Sequence, residues 1–226
     1  MNTGVPIASR TLLPALVTRA LADGGLHFVC SLLLSPLSAL ASRTEVWVSS
    51  ATDSDPSAPH PTPVVLVHGL LGHPGQFRVL RRFLVGRGFH DFATFSYPPR
   101  VDHQELARGL GRAIEAVCEA TGEAEVDVVG HSLGGLMARH VLERGEGGRI
   151  RRLVTLGAPT LTDTLPEREC AIFGADDPLV PLPRRLRGRS ATVRGCGHLG
   201  LLSRPAALRL VAAFLSEATE EPRKAA

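Results

Sequence analysis

Downstream of residue 63, short runs of Val, Leu, Ile and Phe alternate with stretches whose apolar residues recur every three or four positions. The runs "VVLVHG" (64–69), "FATFSYP" (92–98), "VDVVG" (126–130), "RIRRLVTLGAP" (149–159), "CAIFGA" (170–175) and "SATVRG" (190–195) read as strands. Between and after them lie four helical patterns: "GQFRVLRRFLVGRG" (75–88), Gln104 to Ala120, the segment from Ser132 to Arg144, and Pro205 to Ala218. Strands this rich in Val, Ile and Leu, with little polar alternation, are buried on both faces. The pattern predicts an α/β fold: a mostly parallel, doubly wound sheet with helices on each side.

Upstream of residue 63 the pattern changes. "SSATDSDPSAPHPTP" (49–63) is rich in Pro, Ser and Asp and marks a boundary. The expected organisation is an apolar N-terminal segment (1–48), a linker (49–62), the α/β domain (63–218) and a polar tail (219–226). Residues 24–42 carry no formal charge, and "LLPALVTRALA" (12–22) has apolar positions at helical spacing. Three readings stay open: helices packed on the domain, a membrane anchor, or a secretory signal ending at Ala39-Leu40-Ala41. Asp23 and Pro36 count against the last two. The expectation is a cytoplasmic or membrane-associated protein, or a secreted one if residues 1–41 are removed as a signal.

Composition narrows the function classes. At 226 residues the chain has room for one α/β domain with a well-buried core. A net charge of +3 and an aromatic content of 4% give nucleic-acid binding no footing. Cys30, Cys118, Cys170 and Cys196 show neither CxxC nor metal-ligand spacing, so they read as small hydrophobes or free thiols.

The candidate chemistry sits where strand turns into helix in "VDVVGHSLGGLMARHVL" (126–142). Gly130, Gly134 and Gly135 crowd this seam, although glycine costs roughly 0.5–1 kcal/mol relative to alanine inside either element. Gly130-His131-Ser132-Leu133-Gly134 matches G-x-S-x-G, a turn that lifts a serine to the head of a helix. There the helix dipole and a free N–H favour negative charge. Two more stretches follow predicted strands: "GADDPLVP" (174–181), with Asp176 and Asp177, and "GCGHLGLL" (195–202), with His198. Each has a plain reading by itself, as close packing, a turn or a loop histidine. In the order Ser, Asp, His, each just past a strand end, they form the set a nucleophilic serine needs.

From Pro63 to Leu215 the chain resembles the α/β-hydrolase family, in particular its small bacterial lipase/esterase branch. The likeness rests on "PVVLVHGLLG", "VDVVGHSLGGLMARHVL" and "RIRRLVTLGAPT". It implies the α/β-hydrolase fold, with Ser132 as nucleophile and His198 as general base. It makes Asp177 the acid, because Gly174, Asp177 and Val180 fit G-x-x-D-x-x-V, with Asp176 as the fallback. His68-Gly69 matches the oxyanion loop, so the implied donors are the backbone N–H groups of Leu70 and Leu133. His68 and His131 become supporting residues. No metal or organic cofactor is implied. The expected substrate is a small-molecule or lipid ester, with peripheral membrane contact through the N-terminal segment as a further expectation.

The chain departs from that branch between "TLGAP" and "CAIFG", where a lid or cap is usually inserted and only residues 160–169 remain. The cap region is thus strongly reduced, and either the pocket is open or residues 11–42 cover it. Two rival functions share the motifs: a thioesterase or acyl-transfer (cyclising) enzyme of a biosynthetic pathway, and a degenerate, non-catalytic hydrolase fold.

Overall fold

A computed structural model describes residues 43–48, 60, 62–97, 103–145 and 148–217. Its strands are β1 (Arg43–Val48), β2 (Val64–Val67), β3 (Asp91–Ser96), β4 (Val126–His131), β5 (Ile150–Leu156), β6 (Glu169–Gly174) and β7 (Arg189–Val193). Its α-helices are α1 (Arg78–Val85), α2 (His103–Thr121), α3 (Leu133–Glu143) and α4 (Pro205–Leu215), with short 3-10 turns at Pro74–Phe77 and Leu199–Leu202. The seven strands form one sheet in the order β1-β3-β2-β4-β5-β6-β7. β2 to β7 are parallel, as the apolar runs predict, and β1 lies antiparallel on β3.

The unbroken apolar runs are explained by the two layers of helices. Val64 and Leu66 of β2 join one core with Leu80 and Leu84 of α1 and Leu208 and Val211 of α4. Val65 and Val67 point the other way, into a core with Leu110 and Ile114 of α2 and Met137 and Val141 of α3. Successive side chains of a strand face opposite sides, so a strand covered on both must be apolar at every position. Leu80 and Leu84, four residues apart, make the inward stripe of α1. Pro205 opens α4, where its missing N–H costs nothing.

The predicted boundary needs one correction. β1 lies upstream of residues 49–62, yet it pairs with β3 along its whole length, from Arg43 opposite Ser96 to Val48 opposite Asp91. The sheet of the α/β domain therefore includes Arg43–Val48, upstream of the linker. Because β1 runs antiparallel, Arg43 stands at the end of the sheet where β2 to β7 terminate. The readings of residues 11–42 as packed helices, anchor or signal lie outside the described residues. Among the described residues no helix is long and apolar enough to cross a membrane.

β5 and β6 are parallel neighbours, yet residues 157–168 between them contain no helix. What holds this short crossover is a buried ion pair reaching across from α3. Arg139 donates to both carboxylate oxygens of Glu169, at 2.7 and 2.5 Å, and to the carbonyl of Pro159 at 2.6 Å. Thr155 donates to the same carboxylate at 2.7 Å. With every charge paired and hydrogen-bonded, the cluster can stay dry.

Candidate active site

The carboxyl ends of the parallel strands carry the candidate site, where such sheets bind ligands. Ser132 stands between β4 and α3 with φ 54° and ψ −122°. Only two non-glycine residues of the described chain have positive φ, Ser132 and Leu71, and both are here. Such backbone strain persists only where the surroundings enforce it, and the enforcing contacts are visible. The Ser132 N–H donates to the Leu156 carbonyl at 2.9 Å, tying the turn to the end of β5. A Cβ on Gly130 would stand 2.5 Å from the Cα of Gly135, and one on Gly134 would overlap the carbonyl oxygens of Val67 and His68. The crowded glycines let a strand and a helix meet at contact distance while β2 passes beside them.

His198 and Asp177 arrive on the loops after β7 and β6. Nδ1 of His198 lies 2.7 Å from Oδ2 of Asp177, whose side chain is fully buried. The other carboxylate oxygen, Oδ1, accepts the N–H groups of Leu179 and Val180 at 2.8 and 3.0 Å. Asp177 is thus held from behind while it orients the imidazole. Asp176, one residue earlier, is exposed, and its backbone N–H donates to the Cys196 carbonyl at 3.1 Å. With Nδ1 engaged, Nε2 of His198 is the ring atom left to meet a serine. The Ser132 hydroxyl has no hydrogen-bond partner among the described residues.

His131 and His68 are buried beside these groups, and Nδ1 of His131 has no partner among the described residues. The His131 ring centroid is 4.6 Å from that of His198, and its Nε2 lies 3.3 Å from the His198 carbonyl oxygen. Burial, reinforced by the neighbouring His198, pushes its pKa down to about 3, so it stays neutral. Burial likewise lowers the pKa of His68.

The two backbone donors implied by the resemblance belong to segments in contact. A Cβ on Gly69 would lie 2.9 Å from the Ser132 Cβ, so the loop carrying Leu70 passes directly over the serine. Leu133 opens α3, where the first N–H groups have no intrahelical acceptor. Neither the Leu70 nor the Leu133 N–H has an acceptor among the described residues.

Two participants escaped the sequence reading. Gly157, at φ 57°, ends β5 against the histidine–aspartate pair, and a Cβ there would lie 3.1 Å from both Asp177 Oδ2 and His198 Nδ1. Its signal was the glycine in "TLGAP", immediately after a buried strand. Tyr97 donates its hydroxyl to the His68 carbonyl at 2.7 Å. It showed no signal beyond being the chain's single tyrosine. Among the described residues no group of three or more His, Cys, Asp or Glu side chains could hold a metal ion.

Solved structures with the same fold include enzymes. A lipase from Bacillus licheniformis, BlEst2, is 15% identical, with a TM-score of 0.59 over 77% of this chain and 97% of its own. A predicted CIB-like hydrolase from Thermoplasma acidophilum is 17% identical, with a TM-score of 0.56 over 77% of this chain and 98% of its own. A structure from a study of carboxylesterases of Nitrososphaera gargenis is 12% identical, with a TM-score of 0.56 over 80% of this chain and 96% of its own. At these identities the likeness is one of fold. The family model for the alpha/beta hydrolase fold matches residues 62–179, more than half of the chain. By that match and by its sheet, the chain belongs to the alpha/beta hydrolase family.

Proposed function

We propose that this protein hydrolyses carboxylic esters through an acyl-enzyme on Ser132, with His198 as general acid and base and Asp177 as its orienting acid. The observation that carries the reading is the 2.7 Å His198–Asp177 pair, with its fully buried carboxylate, beside a serine held at positive φ at a helix N-terminus. A serine hydroxyl is a weak nucleophile until an adjacent imidazole takes its proton. In the proposed cycle Nε2 of His198 accepts the Ser132 proton as Oγ bonds to the ester carbonyl carbon. The carbonyl oxygen gathers negative charge, which the Leu70 and Leu133 N–H groups would meet, each worth roughly 3–4 kcal/mol to the transition state. The C–O bond to the alcohol then breaks, and His198 returns the proton to the departing alkoxide. Water, deprotonated by His198, releases the acid and restores Ser132.

The helix-free crossover at residues 157–168 supports a second reading, in which a bulky thioester donor reaches the same serine. Product analysis with paired oxyesters and thioesters separates the two. The test of the shared mechanism is labelling with a fluorophosphonate followed by mapping of the modified peptide. The adduct is expected on Ser132 alone, and an adduct elsewhere, or none from an esterase-active preparation, overturns the assignment.

A further inference from the structure

We propose that Tyr97 is a positioning residue of this site: its hydroxyl, bonded to the His68 carbonyl, sets where the Leu70 N–H meets the substrate oxygen. The proposal rests on the serine-hydrolase reading above. Tyr97 follows β3 directly and lies beside the end of β2, from which the loop carrying Leu70 departs. Its ring stacks on His68 with centroids 4.6 Å apart and planes 16° apart, and its hydroxyl donates to the His68 carbonyl at 2.7 Å. Both side chains are buried, Tyr97 at 4% exposure and His68 at 3%, so Tyr97 acts from beneath the loop and does not touch substrate.

The His68 carbonyl is an effective place to hold this loop. The next residue, Gly69, has the freest backbone of any residue type. Gly69 must nevertheless keep one conformation, because it lies against Ser132 and because the Leu70 N–H follows it by a single peptide unit. The other hydrogen bonds of this turn are local: the Gly72 N–H donates to the Gly69 carbonyl at 3.0 Å, and His68 Nδ1 lies 2.9 Å from the same oxygen. Leu70 packs its side chain on the core, and the Tyr97 bond adds a directional tie from β3 to the backbone just before it. The same His68 carbonyl also abuts Gly134 of α3, so one oxygen lies between Tyr97 and the helix that carries the Leu133 N–H. Moving it would shift both donors relative to Ser132. Burial pushes the Tyr97 pKa up, so the hydroxyl keeps the proton it donates.

The experiment uses the full-length enzyme and Tyr97→Phe, which keeps the stacked ring and deletes only the hydroxyl. The expected result is a fall in kcat on p-nitrophenyl butyrate of about tenfold to a hundredfold, the scale of a sub-ångström to ångström misplacement. KM should stay within about twofold, because the lost interaction acts in the transition state. Affinity for a trifluoromethyl ketone, whose adduct carries an oxyanion, should fall in parallel with kcat. A purely structural tyrosine would lower Tm and leave kcat and inhibitor affinity alone, and that result overturns the proposal. Because the chain has one tyrosine, biosynthetic replacement by 3,5-difluorotyrosine strengthens this donor and no other. If Tyr97→Phe does not fold, unchanged kcat and inhibitor affinity in the fluorinated enzyme overturn the proposal equally. A wild type that fluorophosphonate does not label at Ser132 overturns the hydrolase reading first, whereas a labelled, active wild type with an unaffected Tyr97→Phe overturns only the role of Tyr97.

Discussion

Each end of the sheet holds a histidine and an aspartate with a fully buried carboxylate, and the two pairs differ in what they leave unbonded. At the carboxyl end His198 meets Asp177 at 2.7 Å. At the amino end Nε2 of His60 lies 3.9 Å from Asp127, but Arg151 comes between them, donating to both oxygens of Asp127 at 3.0 and 2.5 Å. His60 Nε2 is itself 2.9 Å from the Leu215 carbonyl oxygen, to which Arg151 also donates at 2.8 Å. Both oxygens of Asp127 and both nitrogens of His60 have partners inside the fold, where the cluster joins β4, β5 and the end of α4. In the upper cluster Nε2 of His198, Nδ1 of His131 and the serine hydroxyl remain uncommitted beside two free backbone N–H groups. Residue types alone do not make a site; the hydrogen-bonding capacity left over does.

The comparison breaks most directly at the serine. Ser132→Ala should lower ester turnover by at least about 10⁴-fold while thermal unfolding stays cooperative. Undiminished turnover in an initial-rate assay would move the chemistry off the upper cluster altogether.

Next in size are the two adjacent aspartates. Asp177→Asn should cut kcat by about 10³–10⁴-fold, because an amide cannot hold His198 in the required tautomer. Asp176→Asn, on an exposed side chain, should change kcat by less than about threefold. Side-by-side kinetics on one ester decide it, and the reverse ranking would put the acid one residue earlier.

The lower cluster should show the opposite signature. Asp127→Asn leaves Arg151 without its carboxylate and should reduce stability by roughly 2–4 kcal/mol. Its kcat and KM should match the wild type. Urea unfolding monitored with the activity assay tests both, and a loss of kcat without a loss of stability would mean the two ends are coupled.

The smallest effect is a pH dependence that both ends share unequally. Burial, the leading cause in each case, lowers the pKa of His60, His68 and His131, that of His131 to about 3. A histidine whose folded pKa lies below its unfolded value gives stability that is complete above the unfolded pKa and lost as pH falls towards the folded one. Below about pH 6.5, each such group should remove up to about 1.4 kcal/mol per pH unit. Urea midpoints measured from about pH 7.5 down to about pH 5 should fall, and His131→Gln should flatten that slope more than His60→Gln. Burial raises the Asp127 pKa to about 6, which acts in the opposite direction over the same range, so the decisive comparison is between variants: a His131→Gln slope equal to that of the wild type would mean this ring takes up a proton in the folded state.

Much of this was legible because its causes are local. The strands β2 to β6 announce themselves by apolar runs, whereas the edge strand β7, RSATV, is mostly exposed; the G-x-S-x-G turn announces a close approach because only glycine fits there. The choice of Asp177 over Asp176 came from the resemblance, and the geometry has Asp177 facing His198 while Asp176 faces solvent. β1 was not legible. "RTEVWV" is six residues beside a polar segment, and it is a strand only because β3, far along the chain, offers an open edge. Arg139 was equally silent: on a helix it reads as a solvated charge, and Glu169, which buries it, lies on another element.

The sequence by itself determined the alternation of elements, the strained serine turn, and the order in which Ser132, Asp177 and His198 leave their strands, since each depends on residues within a few positions. The tertiary structure alone decided that Arg43–Val48 joins the sheet, that Arg139 closes the helix-free crossover, and that Tyr97 reaches under the loop of Leu70. It also decided which of the two buried aspartates faces a free imidazole and which is neutralised by an arginine. These are contacts between elements distant in the chain. Their partners are chosen by strand order and by which polar atoms packing leaves unpaired, and neither quantity exists until the sheet has formed.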